Sequence, residues 1–261
     1  MLSGRLTVRA NPVFPAFFAA LVLGLGIALY VASGAEMEHQ PFQFQLLAML
    51  TVLLICLTLM RGGELSLSNV TFGVAPELRA RAWVLVGNAA GILVVLWLVQ
   101  VLGASAWQQG EWGEAALNIA LGKLSYGFWE LVGLAALSNM GFCLALWLSR
   151  VADDAPLKLI TLAAPIWLYM NTGIEHVVVN LIVVPVGILV LHCAPDGFWL
   201  LTQCDPDRFE SLTLGRFFGH SLVPVLIGNL VGGGSVVGLI HLWLDRDVMD
   251  PDWLDDLNEE R

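Results

Sequence analysis

One polar group of residues interrupts the most apolar part of the sequence. Gly173, Glu175, His176 and Asn180 fall within the run 160–191, which is otherwise mostly Val, Ile, Leu and Ala. Ionisable side chains at membrane depth are costly and nearly always face a bundle interior or a water-filled path. An imidazole titrates near neutral pH, so His176 could offer a hydrogen bond or a proton to a small dehydrated anion. The run therefore predicts two half-helices that meet at Gly173, with the polar groups at the junction.

Two polar motifs occur twice, in the same order along the chain. The first motif is Gly62-x-Glu64 followed by Asn69, and it recurs as Gly173-x-Glu175 followed by Asn180. The second is Gly87-Asn88-x-x-Gly91, which recurs as Gly228-Asn229-x-x-Gly232. Interrupted apolar segments at matching positions of two halves point to a transport site. Two motifs that recur in the same order favour an internal repeat over coincidence in a glycine-rich apolar chain.

The two glutamates occupy equivalent positions, and an unpaired carboxylate in apolar surroundings would be very costly. We expect Glu64 and Glu175 each to accept hydrogen bonds from backbone amides freed by the break or from an Asn side chain. Asn88 and Asn229 are their expected partners, or line the same seam. The alternative role for the carboxylates is a proton relay.

Other polar residues near the breaks have more local roles. We expect Asn69 and Asn180 to cap the half-helices that restart after each break. The positive ends of such half-helices favour anions at the centre of the molecule. Arg61 lies at the first break and keeps its charge, because a guanidinium is not deprotonated in a protein. Pairing of Arg61 with Glu64 is favoured over snorkelling or adding positive potential to a permeation path.

The composition is that of a polytopic membrane protein. The 261 residues are 57% hydrophobic and only 13% charged, against about 25% charged residues in a soluble domain. Neither break offers a nucleophile–base pair or a metal-binding cluster, so we expect no enzyme active site, no cofactor and no nucleic-acid partner. Cys193 and Cys204 flank one loop, and the sequence leaves open whether they pair.

Apolar segments divide the chain into six predicted spans, of which the second and fifth are broken. Their ranges are 13–33, 42–74, 82–102, 126–149, 159–192 and 220–244. Three spans in each half, 13–104 and 126–244, force the halves into opposite orientations, which is an inverted repeat. The fold class predicted is thus an all-α membrane protein with a channel domain, 1–244, and an acidic cytoplasmic tail, 245–261.

Basic residues predict the orientation, because cytoplasmic loops carry an excess of Lys and Arg. With the N-terminus inside, the inner segments hold Arg5, Arg9, Arg79, Arg81, Arg150, Lys158, Arg246 and Arg261, whereas the outer segments hold Lys123, Arg208 and Arg216. Both termini are therefore expected in the cytoplasm. Part of the loop after the third span is expected to lie as an interfacial helix, since Trp107 and Trp112 suit the headgroup level.

These residues resemble the formate/nitrite transporter family over the whole chain. In the fifth span the resemblance rests on Gly173, Ile174, Glu175, His176, Asn180, Pro185 and Gly187. In the sixth it rests on Pro224, Val225, Gly228, Asn229, Gly232 and Gly233, and in the fourth on Gly133, Asn139, Cys143, Leu144, Ala145 and Trp147.

The resemblance implies an aquaporin-like six-helix fold in the cell (inner) membrane, in contact with lipid. It implies five protomers with one pore each, and passage of small monovalent anions such as formate, nitrite or hydrosulfide. His176 would lie between two hydrophobic constrictions and give the anion a proton or a hydrogen bond, so that it crosses the apolar slit as a near-neutral species.

The chain also departs from the family. The first break usually reads Leu-Phe-Thr, and here it reads Leu65-Ser66-Leu67. We expect these three residues, with Tyr169 and Thr172, to line the path, and expect Ser66, Ser68 or water to replace the missing threonine as partner of the histidine. The loss of the threonine keeps a neutral small-solute pore open as an alternative. A non-conducting sensor or scaffold that uses the acidic tail is the other.

Overall fold

The computed structural model describes residues 13–35, 41–60, 78–152, 154–170 and 175–248, and every element within these ranges is helical. The helices are α1 (Val13–Ala35), α2 (Pro41–Met60), α3 (Leu78–Val101), α4 (Glu111–Lys123), α5 (Phe128–Val151), α6 (Ala155–Met170), α7 (Val177–Cys193), α8 (Asp196–Thr202), α9 (Leu214–Arg216) and α10 (Val223–Val248). Short 3₁₀ helices span Ala104–Gly110 and Pro206–Phe209, and a π-helical turn spans Phe217–Leu222.

The break predicted in the fifth span is confirmed. Helix α6 ends at Met170 and α7 begins at Val177, and His176 between them has extended backbone angles, φ −136° and ψ 132°. The corresponding break predicted in the second span falls within 61–77, outside the described residues.

Several helices are long and apolar enough to cross a membrane. Among the described residues four stretches qualify: Val13–Val31, Trp83–Val101, Phe128–Ser149 and Pro206–Ser235. Helices α7 and α8 qualify together, although they are bent by 103° at their junction. Shorter apolar helices, Ala48–Leu57 and Ala155–Trp167, lie where the halves of broken spans are predicted. The chain is therefore a multi-pass membrane protein.

The two Gly-Asn motifs make equivalent helix contacts. A Cβ atom at Gly87 or Gly91 on α3 would overlap backbone atoms of α1, and one at Gly228 or Gly232 on α10 would overlap backbone atoms of α5. Helix α1 also packs against α2, and α5 against α6. Small residues at these crossings let helix backbones approach closely in a membrane, where packing drives helix association.

Helix α4 is a buried element, and the prediction that Trp112 lies at the headgroup level is wrong. Trp112 is fully buried, and its indole Nε1 donates a hydrogen bond to the carbonyl of Ala28 at 3.0 Å. Trp107, in contrast, is 42% exposed. Helix α4 packs along α7, where Gly187 faces Ala120 so closely that a Cβ would overlap it. This contact holds the C-terminal end of α4 beside the helix that follows the break.

The predicted long loop after α7 is mostly short helical turns. Cys193 and Cys204, whose pairing the sequence left open, are free thiols. Phe209 and Phe217 are buried and anchor the segment that leads through the π-helical turn into α10. The acidic tail begins within α10 and continues beyond the described residues at Val248.

Candidate functional site

The break between α6 and α7 places Glu175 and His176 in the interior. Glu175 is fully buried and His176 is 6% exposed. The ring of His176 lies against that of Phe142 on α5, with centroids 5.5 Å apart. A buried carboxylate and a buried imidazole each need hydrogen-bond partners. The partners of Glu175 and His176 therefore decide how the site is held together.

Glu175 is held by a cation and an amide. Lys123 Nζ lies 2.7 Å from Glu175 Oε1, and Asn180 Nδ2 donates to Glu175 Oε2 at 2.6 Å. The expectation that the carboxylate accepts from an Asn side chain is met, and the partner is Asn180; Asn229 does not bind the carboxylate. Lys123 is the last residue of α4, where the negative end of the helix dipole favours a cation.

The cap of α7 also differs from the prediction. His176, rather than Asn180, is the N-cap: its Nδ1 accepts a hydrogen bond from the backbone amide of Val178 at 3.3 Å. Asn180 lies within the first turn, where its side chain reaches back to Glu175. A capping side chain satisfies an amide that has no partner inside the helix.

Asn229 binds the same helix start from α10. Its Oδ1 accepts from the amide of Val177 at 3.0 Å, and its Nδ2 donates to the carbonyl of Ala135 on α5 at 2.8 Å. Asn139 on α5 in turn donates to the carbonyl of Asn229 at 2.6 Å. Asn229 thus lines the predicted seam, although it contacts the backbone and not the carboxylate. The amides of Val177 and Val178, which an anion could otherwise bind, are occupied by side chains.

Three contributors were missed as site residues: Lys123, Asn139 and Phe142. Lys123 had a usable signal, because it is the sole basic residue between Arg81 and Arg150 and it ends an apolar helical pattern. The ammonium group of a lysine at such a position needs either a carboxylate partner or contact with water. Phe142 had no signal in the sequence beyond its place in an apolar span.

Most residues predicted around the first break lie outside the described residues. These are Arg61, Glu64, Leu65, Ser66, Leu67 and Asn69, together with Thr172 at the second break. Tyr169 falls in the last turn of α6. Asn88 is 8% exposed on α3, and its Oδ1 is buried without a hydrogen-bond partner among the described residues.

Known proteins with similar sequences are named as channels and transporters, and not as enzymes. The formate channel FocA of Escherichia coli (strain K12) is 29% identical over 240 residues, which cover 86% of this chain and 84% of FocA. The formate channel FocB of the same strain is 36% identical over 155 residues, covering 59% of this chain. The match spans 55% of the length of FocB.

Solved structures of the same architecture include a pentameric formate channel with formate bound. That structure is 25% identical, covers 92% of this chain and 99% of its own, and superimposes with a TM-score of 0.80. An ion channel of the FNT family, at 20% identity and a TM-score of 0.66, shows the same fold. A family model described as "Formate/nitrite transporter" matches residues 9–243. Because this match takes in nearly all of the chain, with the junction at His176 and both Gly-Asn motifs, the chain belongs to the formate/nitrite transporter family.

Proposed function

We propose that this chain is a channel or transporter for small monovalent weak-acid anions of the formate, nitrite or hydrosulfide type. The observation that carries the proposal is a buried histidine at a helix break, next to a neutralised carboxylate, in a member of this family. Buried ionisable residues in membrane proteins mark substrate or proton paths.

His176 acts in this proposal as a hydrogen-bond donor to the anion. Because Nδ1 accepts from Val178, a neutral ring carries its hydrogen on Nε2. Donating a proton outright would require the imidazolium, in which Nδ1 bears a hydrogen and can no longer accept from the helix start. Of the two predicted roles, the geometry therefore supports the hydrogen bond better than transfer of the ring's own proton.

Lys123 offsets the negative charge that would otherwise keep an anion away from His176. A bare carboxylate at Glu175 would repel a negative substrate at the adjacent His176, and the ammonium at 2.7 Å cancels that charge. The side chain of Lys123 is only 13% exposed, so solvent screens its charge little. The pair thus supports the entry of an anion without leaving a net negative charge in the apolar interior.

The proposal includes the finer architecture predicted from the sequence. Six spans form two inverted repeats, and the matching crossings of α1 with α3 and of α5 with α10 support it. Five copies assemble, as in the pentameric channel of similar fold. They lie in the cell (inner) membrane with both termini in the cytoplasm, as the basic residues of the loops predict. Tyr169 and Thr172 line the path with the first break, Leu65, Ser66 and Leu67.

The internal repeat indicates which kind of group Asn88 binds. Asn229 accepts from the amide that follows the Glu175-His176 pair, and Asn88 occupies the equivalent position in the first half. We therefore expect Asn88 Oδ1 to accept a backbone amide of the first break. The alternative is the predicted contact of Asn88 with Glu64, which lies outside the described residues.

Flux into proteoliposomes tests the proposal. We expect formate, nitrite and hydrosulfide to cross faster than chloride, with rates that rise as the pH falls, because an apolar constriction passes near-neutral species. Chloride flux of equal size without pH dependence would contradict the weak-acid mechanism. Swelling with uncharged solutes and no anion flux would identify a neutral-solute pore. No flux of any solute would favour the non-conducting sensor or scaffold, whereas deletion of 245–261 should leave the flux of a transporter largely intact.

A further inference from the structure

The turn that follows Lys123 is held by two side chains from a distant part of the chain. Arg216 Nη2 donates to the carbonyl of Leu124 at 3.2 Å, and His220 Nε2 lies 3.0 Å from the carbonyl of Tyr126. A carbonyl oxygen only accepts, so His220 donates through Nε2–H. These carbonyls belong to the turn that follows α4, outside the helix's own hydrogen bonds, so they need partners from elsewhere.

Arg216 and His220 stand on a rigid base. They are four residues apart and so project from one face of the helical segment formed by α9 and the π-helical turn. Phe217 between them is 1% exposed, and Thr213 Oγ1 caps the segment by accepting from the amide of Arg216 at 3.1 Å. A π-turn in an otherwise α-helical span is rare and often marks a functional position.

We propose that Arg216 and His220 are positioning residues, a carbonyl clamp that fixes the end of α4 so that Lys123 stays paired with Glu175. The other polar contacts of the turn are local: Ser125 Oγ donates to the carbonyl of Gly122, and the amide of Gly127 donates to Glu130 Oε2. Among the described polar contacts of this turn, only those of the clamp reach residues that are distant in the chain. The link to transport rests on the proposed function, whereas the link to the ion pair does not.

The reactivity of Lys123 tests the clamp without any transport measurement. Lys123 and Lys158 are the only lysines in the sequence, so Lys158 on α6 is an internal reference. The purified full-length protein is treated with an acetylating reagent, and the rates at both lysines are read by peptide mass spectrometry. We expect Arg216→Met and His220→Leu each to raise the Lys123 to Lys158 rate ratio about five-fold, the value of one net hydrogen bond.

Matched variants separate positioning from general destabilisation. His220→Gln keeps an N–H donor and should keep the slow rate at Lys123, and Leu214→Ala, which alters a side chain 54% exposed on the same segment, should leave the ratio unchanged. An unchanged ratio in both clamp variants would overturn the proposal. So would a parallel rise at both lysines, which reports unfolding, or an equal change in Leu214→Ala.

A flux measurement links the clamp to the site. In Arg216→Met and His220→Leu, displacement of Lys123 should raise the half-saturating formate concentration about five-fold. A loss of folded channels alone would lower only the maximal rate. If wild-type protein conducts no anion while Lys123 reactivity still depends on Arg216 and His220, the proposed function fails and the clamp stands. If wild-type protein conducts and reactivity does not change, only the clamp fails.

Discussion

Replacement of Lys123 by methionine is expected to lower the free energy of unfolding by about 3–5 kcal/mol and to abolish anion flux. Among the described residues, the substitution leaves the fully buried carboxylate of Glu175 with one side-chain hydrogen bond, from the amide of Asn180. Breaking a buried ion pair costs far more than the pair contributes, because the surviving charge stays in an apolar environment. Thermal unfolding of the purified protein in detergent measures the loss.

The companion variants make this prediction specific. Lys123→Met combined with Glu175→Gln removes both charges and should recover most of the lost stability, since Asn180 can still donate to a Gln oxygen. Lys158→Met is the control, because Lys158 makes no ion pair among the described residues. A double variant as unstable as Lys123→Met alone would mean that the ion pair is not the source of the effect.

Replacement of Gly232 by alanine is expected to lower the free energy of unfolding by about 1–3 kcal/mol and to disturb pentamer assembly. The added Cβ would overlap the backbone of Ala136 on α5, and backbone atoms cannot rotate away as a flexible side chain can. The α5–α10 crossing would open, and Asn229, three residues earlier on α10, would move from the start of α7. Thermal unfolding and size-exclusion chromatography measure both effects.

Gly234 supplies the matched control on the same helix. A Cβ there meets no atom within 4 Å, so Gly234→Ala should leave stability unchanged or raise it by about 0.5–1 kcal/mol through helix propensity. Equal loss of stability in both variants would contradict the close crossing. Gly91→Ala should behave as Gly232→Ala does, because its Cβ would overlap the carbonyl of Phe17 on α1.

The sequence is most informative where a residue type has few permitted environments. A glutamate and a histidine inside the apolar run 160–191 could be placed only at a helix break, and α6 and α7 do stop on either side of them. The glycines of the two Gly-Asn motifs likewise indicate one feature of a membrane helix, the close approach of a neighbouring helix backbone. Their positions against α1 and α5 agree with that reading.

The sequence is least informative about which polar groups meet. Glu175 and Lys123 are 52 residues apart, and no spacing rule connects α4 to the break. Asn180 and His176 are both good caps, so the choice between them depends on backbone geometry that the sequence does not specify. Residue type alone predicts Trp112 at an interface, but the tertiary structure buries it and bonds its indole to the carbonyl of Ala28 on α1.

The central claim is that His176 gives a small anion the hydrogen bond it needs to cross the apolar centre. The most direct measurement compares formate flux across proteoliposomes at several pH values for the wild-type protein, His176→Ala and His192→Ala. His192 lies near the end of the same helix, in its last turn, and serves as the control.

We expect wild-type and His192→Ala protein to conduct formate faster than chloride, with flux that increases as the pH falls. We expect His176→Ala to lose most of the formate flux, because no other described side chain offers an imidazole N–H at the break. A His176→Ala protein that conducts with unchanged selectivity and unchanged pH dependence would contradict the account.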